Sequence, residues 1–151
     1  MIKAILFDWG RTIYDSEQRG FAVGTPDLLR TLAQHYKLAI VSLISGDYER
    51  RLAARQQLLR DSGIESCFAT VRFVAADKDG AYVETLAELG VQAQEAVIVD
   101  DRARRGIAWG NRHGALTIWL RRGRFAAEFP DEVTGAPTHT IGELHELSRM
   151  L

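Results

Sequence analysis

The sequence predicts an α/β protein built around a doubly wound parallel sheet, and three observations point there. Five apolar, β-rich runs recur along the chain; helical patterns separate them; and glycines stand where helices should close. The runs are Ile2–Phe7, Leu38–Val41, Ala69–Val74, Ala96–Val99 and Ala115–Leu120. They are nearly continuous rather than alternating, as expected of strands covered on both faces.

The first run is followed by a short segment, Asp15–Thr25, and then by a helix over Pro26–His35. Thr25-Pro26 reads as its start, with Thr25 capping and proline at the first helical position. Helices are also expected over Tyr48–Ser62, Gly80–Leu89 and Arg102–His113, with Gly63, Gly90 and Gly114 as C-caps. Arg121–Thr140 holds two of the three prolines and little periodicity, and reads as a surface loop. Ile141–Met150 reads as a last short helix. Strand and helix alternate with right-handed crossovers, giving five central parallel strands in a three-layer α/β/α domain over residues 1–151.

Composition sets bounds. The chain is 46% hydrophobic and 26% charged, with a formal net charge of −1. That balance gives no global attraction to nucleic acid or anionic lipid. No apolar run of about 18 residues indicates a membrane span, and the N-terminus lacks a signal-peptide pattern, so the expectation is a cytoplasmic protein. Cys67 is the single cysteine and reads as a small buried residue.

In such a sheet, ligands bind outside the carboxyl ends of the strands. The first strand runs into Asp8, the second into Ser42, and the fourth into Asp100 and Asp101; Lys78 follows the third. If the first and fourth strands are neighbours, three carboxylates, a hydroxyl and an ammonium meet at one edge. Carboxylates packed so closely call for a cation. Oxygen donors with open positions suit Mg²⁺, and a carboxylate can attack phosphorus to form an aspartyl-phosphate. Ser42 and Lys78 would hold the transferring phosphoryl group. The competing reading is that strand-end aspartates merely cap the following helices.

These residues resemble the haloacid dehalogenase (HAD) superfamily. ILFDWGRTIYDS is similar to its first motif, a strand followed by DxDx(T/V), with Asp8 in the nucleophile's place. LAIVS looks like the second motif and places Ser42; Lys78, ahead of AYVETLAELGV, looks like the third; VIVDD looks like the fourth in its paired-aspartate form. The resemblance runs from Ile2 to Leu120. It implies a Rossmann-like HAD core and a Mg²⁺-dependent phosphatase acting on a phosphorylated substrate. Metal would be held by Asp8, the Gly10 carbonyl and Asp101, with Asp100 ranked second.

Two departures stand out. Family phosphatases carry an aspartate, the general acid and base, where this chain has Gly10, so the metal-binding carbonyl stays and the proton shuttle goes. An aspartate that many members carry beyond the fourth motif aligns with Gly106. The chain also has no room for a cap domain, either over Asp15–Thr25 or between Ser42 and Lys78. An open site admits large substrates or a second subunit, so a homo-oligomer fits. It disfavours dehalogenation. The alternative to a phosphatase is a weak or inactive relative that binds a phosphorylated ligand or a protein partner.

Arg11, after Gly10, either contacts substrate or faces solvent. Residues 102–124 hold seven arginines and no acid, either an anion-attracting rim or a helix face balanced by acids elsewhere. Asp15 is a candidate substitute acid or a loop cap. His139 and His145 could supply a base only if the C-terminal segment folds over the site. Trp9 is placed in the core or at a pocket entrance.

Overall fold

The computed structural model describes residues 1–151. Its strands are β1 (Ala4–Phe7), β2 (Tyr14–Asp15), β3 (Gly20–Phe21), β4 (Lys37–Leu43), β5 (Phe68–Val74), β6 (Ala96–Asp100), β7 (Leu116–Leu120) and β8 (His139–Ile141). The α-helices are α1 (Thr25–Ala33), α2 (Tyr48–Ser62), α3 (Lys78–Leu89) and α4 (Ala108–His113). Six strands form one sheet in the order β5-β4-β1-β6-β7-β8, and every pairing in it is parallel. The chain winds outward from β1 to β5, then crosses back to β6 on the other side of β1.

Alternate residues of β1 go to opposite faces, as a pleated strand requires. Ile5 and Phe7 join a core with Leu29, Leu32, Leu59 and Leu144. Ala4 and Leu6 join a second core with Tyr82, Leu86 and Trp109. Alanines also stand at 39 and 96 on that second face, which lets α3 lie close to the sheet. All four β1 residues are fully buried, and this explains why the run is continuous rather than alternating.

Five expectations need correction. The sheet has a sixth strand, β8, spanning the end of the stretch read as a surface loop and the first residue of the expected last helix; Thr117 and Thr138 pair by hydrogen bonds at its start, the Thr138 amide donating to Thr117 Oγ1 at 3.0 Å. The final element is a 3₁₀ helix, Leu144–Arg149, not an α-helix. The cap of α1 is Gly24 at φ +84°, and Thr25 is its first helical residue. The fourth helix begins as a π-helix over Ala103–Ile107 before α4 continues it. Gly63, Gly90 and Gly114 close their helices in the left-handed conformation, as expected. Cys67 is half-buried at a 3₁₀ turn rather than in the core, and burial pushes its thiol pKa up.

No cap module interrupts the core. Between β1 and α1 lies only the small antiparallel hairpin β2–β3, pinned by Trp9, which stacks on Tyr14 at 5.7 Å and meets Phe21 edge-on. Between β4 and β5 lie α2 and a 3₁₀ turn. No helix is long and apolar enough to cross a membrane.

Candidate functional site

Because β1 pairs with both β4 and β6, the reversal of strand order falls between β1 and β6. That is where an open α/β sheet leaves a crevice. The Asp8 amide donates to the Val99 carbonyl at 3.0 Å, which seats its side chain beside those of Asp100 and Asp101. One carboxylate oxygen from each of the three aspartates lies within 4.8 Å of the others.

Lys78 enters this cluster from the first turn of α3. Asp77 before it takes the left-handed conformation at φ 55° and accepts from the Gly80 amide. Such a φ costs an ordinary L-residue roughly 1–2 kcal/mol, less for Asp. A Cβ at Gly80 would strike the Asp77 carboxylate, so the Asp-Lys-Asp-Gly turn needs its glycine to present Lys78. The Lys78 ammonium donates to Asp100 Oδ2 at 2.8 Å and Asp8 Oδ1 at 3.1 Å. Burial works against its charge, but Asp100 and Asp8 outweigh it and hold the pKa well above the usual range.

The two carboxylates of the fourth-motif stretch differ in use. Asp100 is saturated: Oδ1 accepts from the Arg102 amide at 2.9 Å, and Oδ2 from Lys78 and the Gly106 amide at 3.0 Å. The π-helical turn brings the Gly106 amide there, a local winding that recurs at functional sites. A Cβ at Gly106 would lie 2.5 Å from Asp100 Oδ2 and 2.7 Å from the Tyr82 hydroxyl, so no aspartate fits where the superficial alignment would place one. Asp101 is open: Oδ2 accepts from Arg11 Nε at 3.0 Å, while Oδ1 is buried with no partner. A buried carboxylate oxygen without a donor is a place for a cation. Burial, then Asp100 and Asp8, push the Asp101 pKa up to about 8, with Arg11 opposing.

That shift has a sign. The folded pKa lies above the ordinary value of about 3.9, so the native state keeps a proton that the unfolded chain loses. Metal-free stability should therefore fall as pH rises from about 4 to 8, by up to about 1.4 kcal/mol per pH unit. A divalent cation needs the ionised carboxylate, so Mg²⁺ should cancel the slope. Thermal melts across that range, with chelator and with Mg²⁺, measure both; a flat chelator curve would contradict the assignment.

Gly10 and Arg11 lie above the cluster. Nothing stands within 4 Å of a Cβ added to Gly10, and its φ is not positive. Its carbonyl accepts no backbone hydrogen bond. Arg11 has φ 58° and neither points to solvent nor reaches freely across the cavity; it clamps Asp101 and lies over the Phe125 ring at 4.7 Å.

A cavity of about 580 Å³ opens over Asp8, Gly10, Ser42 and Lys78. Ser42 Oγ accepts from Arg55 Nη1 at 3.1 Å, and burial lowers the pKa of Arg55, with nearby Asp8 opposing. Arg51 and Arg55, one turn apart on α2, line this cavity. Neither stood out in the sequence; their i,i+4 spacing on the helix that leaves Ser42's strand was the available signal.

The remaining candidates separate cleanly. Asp15 caps its hairpin by accepting from the Glu17 and Gln18 amides and also meets Arg122. His139 and His145 are exposed and do not line the cavity. Trp9 is 2% exposed and is both core and cavity wall. Of the arginine-rich segment, Arg102, Arg112 and Arg122 pair with acids from elsewhere. Arg105 and Arg124 line the cavity.

Comparison with known proteins points to HAD-like hydrolases. A family model described as HAD-hydrolase-like matches residues 77–147. A glyceraldehyde 3-phosphate phosphatase of Methanopyrus kandleri is 31% identical over 131 residues, covering 81% of this chain and 54% of the relative. The chain thus spans about half the length of that curated relative. Among solved structures, the magnesium-bound HAD-hydrolase YfnB of Bacillus subtilis superposes with TM-score 0.75 at 17% identity, over 99% of this chain and 98% of that one. A HAD phosphatase of Thermococcus onnurineus gives 0.73 at 18%, over 99% and 97%. The L-2-haloacid dehalogenase of Xanthobacter autotrophicus gives 0.75 at 14%, over 99% and 98%. At these identities the likeness to the solved structures is one of fold.

Proposed function

We propose that the chain is a HAD-like hydrolase and that within this superfamily it is a phosphatase with Asp8 as nucleophile. The supporting observation is the Lys78 bridge between Asp8 and Asp100, set at the floor of a cavity walled by cations. Lys78 holds only Oδ1 of Asp8, leaving the other oxygen for attack on phosphorus. Ser42, Arg55 and Lys78 stand around Asp8 as donors for the oxygens of the transferring group, where charge builds in the transition state. The curated relative's name supports phosphoryl chemistry, and the substrate expected here is a phosphorylated compound.

Mg²⁺ fits the donors: the free Asp101 Oδ1, Asp8 and the Gly10 carbonyl would hold it, with saturated Asp100 behind them. When bound it would neutralise the carboxylates and polarise the phosphoryl oxygens. Arg11 keeps Asp101 oriented and reaches the substrate only at the cavity wall.

The missing proton donor gives the test. Gly10→Asp meets open space, so it should fold normally and raise turnover of alkyl phosphates by about 10²–10⁴-fold. Mg²⁺-dependent phosphate release from glycerol 2-phosphate measures this, with p-nitrophenyl phosphate, whose leaving group needs little protonation, as the control. A second reading, favoured by Gly10 itself, is a protein that binds a phosphorylated ligand without turning it over. Under that reading wild type is silent toward p-nitrophenyl phosphate while orthovanadate still raises its melting temperature with Mg²⁺.

A further inference from the structure

The cavity is unbalanced in charge. Seven of its lining residues are cationic, and Asp8 is its only lining carboxylate. Three of those cations are already answered: Arg11 by Asp101, Lys78 by Asp8 and Asp100, and Arg102 by Glu128. Arg51, Arg55, Arg105 and Arg124 have no carboxylate partner; Arg55 holds Ser42, and Arg124 lies 5.3 Å from the Phe125 ring. They flank Asp8 on two sides. Arg51 and Arg55 come from the helix after β4, and Arg105 and Arg124 from segments after β6 and β7, while β1 lies between β4 and β6. One phosphoryl group fills only one side of such a ring.

The second observation is independent. Where a leaving alkoxide would need a proton, there is only Gly10 and open space. Asp15, the nearest alternative in sequence, is tied to its turn and to Arg122, and no histidine lines the cavity.

Resting on the phosphatase reading, we infer that the substrate is a phosphoric anhydride, a di- or polyphosphate group whose terminal phosphoryl goes to Asp8 and whose remainder departs into the Arg105 and Arg124 side. The Asp8 carboxylate attacks the terminal phosphorus. The bond from phosphorus to the bridging oxygen breaks, and its electron pair leaves on that oxygen as a phosphate anion. No proton is required, because phosphate carries its second negative charge above a pKa of about 6, and guanidinium pairs bidentately with such oxygens. Water then attacks the aspartyl-phosphate phosphorus, the bond to Asp8 breaks with its electrons returning to the carboxylate, and the proton lost by water passes to the departed phosphate chain.

The test compares kcat/KM, in Mg²⁺ buffer, for inorganic tripolyphosphate, glycerol 2-phosphate, p-nitrophenyl phosphate and a 5′-phosphorylated oligonucleotide. It uses wild type and an Arg105→Gln/Arg124→Gln double variant. Tripolyphosphate should exceed glycerol 2-phosphate by about 10²-fold or more. The double variant should lose about tenfold more on tripolyphosphate than on p-nitrophenyl phosphate. Methylenediphosphonate should raise the melting temperature more than methylphosphonate does, and the double variant should erase that difference. If p-nitrophenyl phosphate is hydrolysed but glycerol 2-phosphate or the oligonucleotide matches tripolyphosphate, the anhydride assignment is overturned and the phosphatase reading stands. If wild type and Gly10→Asp are silent toward every compound, the phosphatase reading falls and takes this one with it.

Discussion

Asp8→Asn is expected to abolish Mg²⁺-dependent hydrolysis of p-nitrophenyl phosphate, by about 10⁴-fold or more, because an amide oxygen does not form the acyl phosphate. The fold should survive. Asparagine has the same shape, keeps an acceptor for Lys78, and leaves the bond from Lys78 to Asp100 in place. Removing one of three clustered carboxylates also relieves like-charge repulsion, so the metal-free variant should melt no lower than wild type. Its stabilisation by Mg²⁺ should shrink, since one oxygen donor has lost its charge. Retention of a tenth of the wild-type rate would remove Asp8 from the nucleophile's role.

Lys78→Met should be the most destabilising single change at the site. The ammonium is 8% exposed and bridges Asp8 and Asp100, the latter fully buried. Methionine fills the volume but leaves two carboxylates with no counter-charge, and breaking a buried pair typically costs about 3–5 kcal/mol. The loss should depend on pH. Burial already raises the Asp100 pKa while Lys78 pulls it down, and without the lysine it should climb further. A carboxyl whose folded pKa exceeds its unfolded value costs stability as pH rises above the unfolded value of about 3.9. The variant should therefore lie several kcal/mol below wild type at pH 7.5 and approach it near pH 4. Urea unfolding at both pH values reads this; an equal deficit at both would mean that packing, not charge, is lost. The same variant should lack turnover even at temperatures where it remains folded.

Much of this was legible in the sequence because both halves of the message are local. Continuous apolar runs report strands covered on both faces, and β1, β4 and β6 are such strands. Each run ends in a residue that is costly to bury: Asp8 follows β1, Ser42 is the last residue but one of β4, and Asp100 closes β6 with Asp101 next, which marks the sheet edge. Strand β8 was not legible. It has three residues, two of them exposed, and depends on pairing with β7 rather than on its own pattern. The π-helical start before α4 was equally hidden, since it follows from what the Gly106 amide does to Asp100. Arg11 was undecided because its answer is a partner 90 positions away, Asp101. The arginine-rich stretch could not be divided from sequence alone: Arg102 and Arg122 find Glu128, Asp15 and Glu143 through the fold, and Arg105 and Arg124 do not.

Gly10 stands apart from every one of these dependencies. Lys78, Asp100, Gly106 and Tyr82 interlock, so altering any of them disturbs both chemistry and folding. Position 10 touches nothing that a larger side chain would displace. Under the proposed chemistry, the ability to donate a proton would be inherited separately from the ability to fold. One substitution would grant or withdraw it without any compensating change elsewhere, so descendants of such a chain would exchange one class of leaving group for another while every other residue of the site stays as it is.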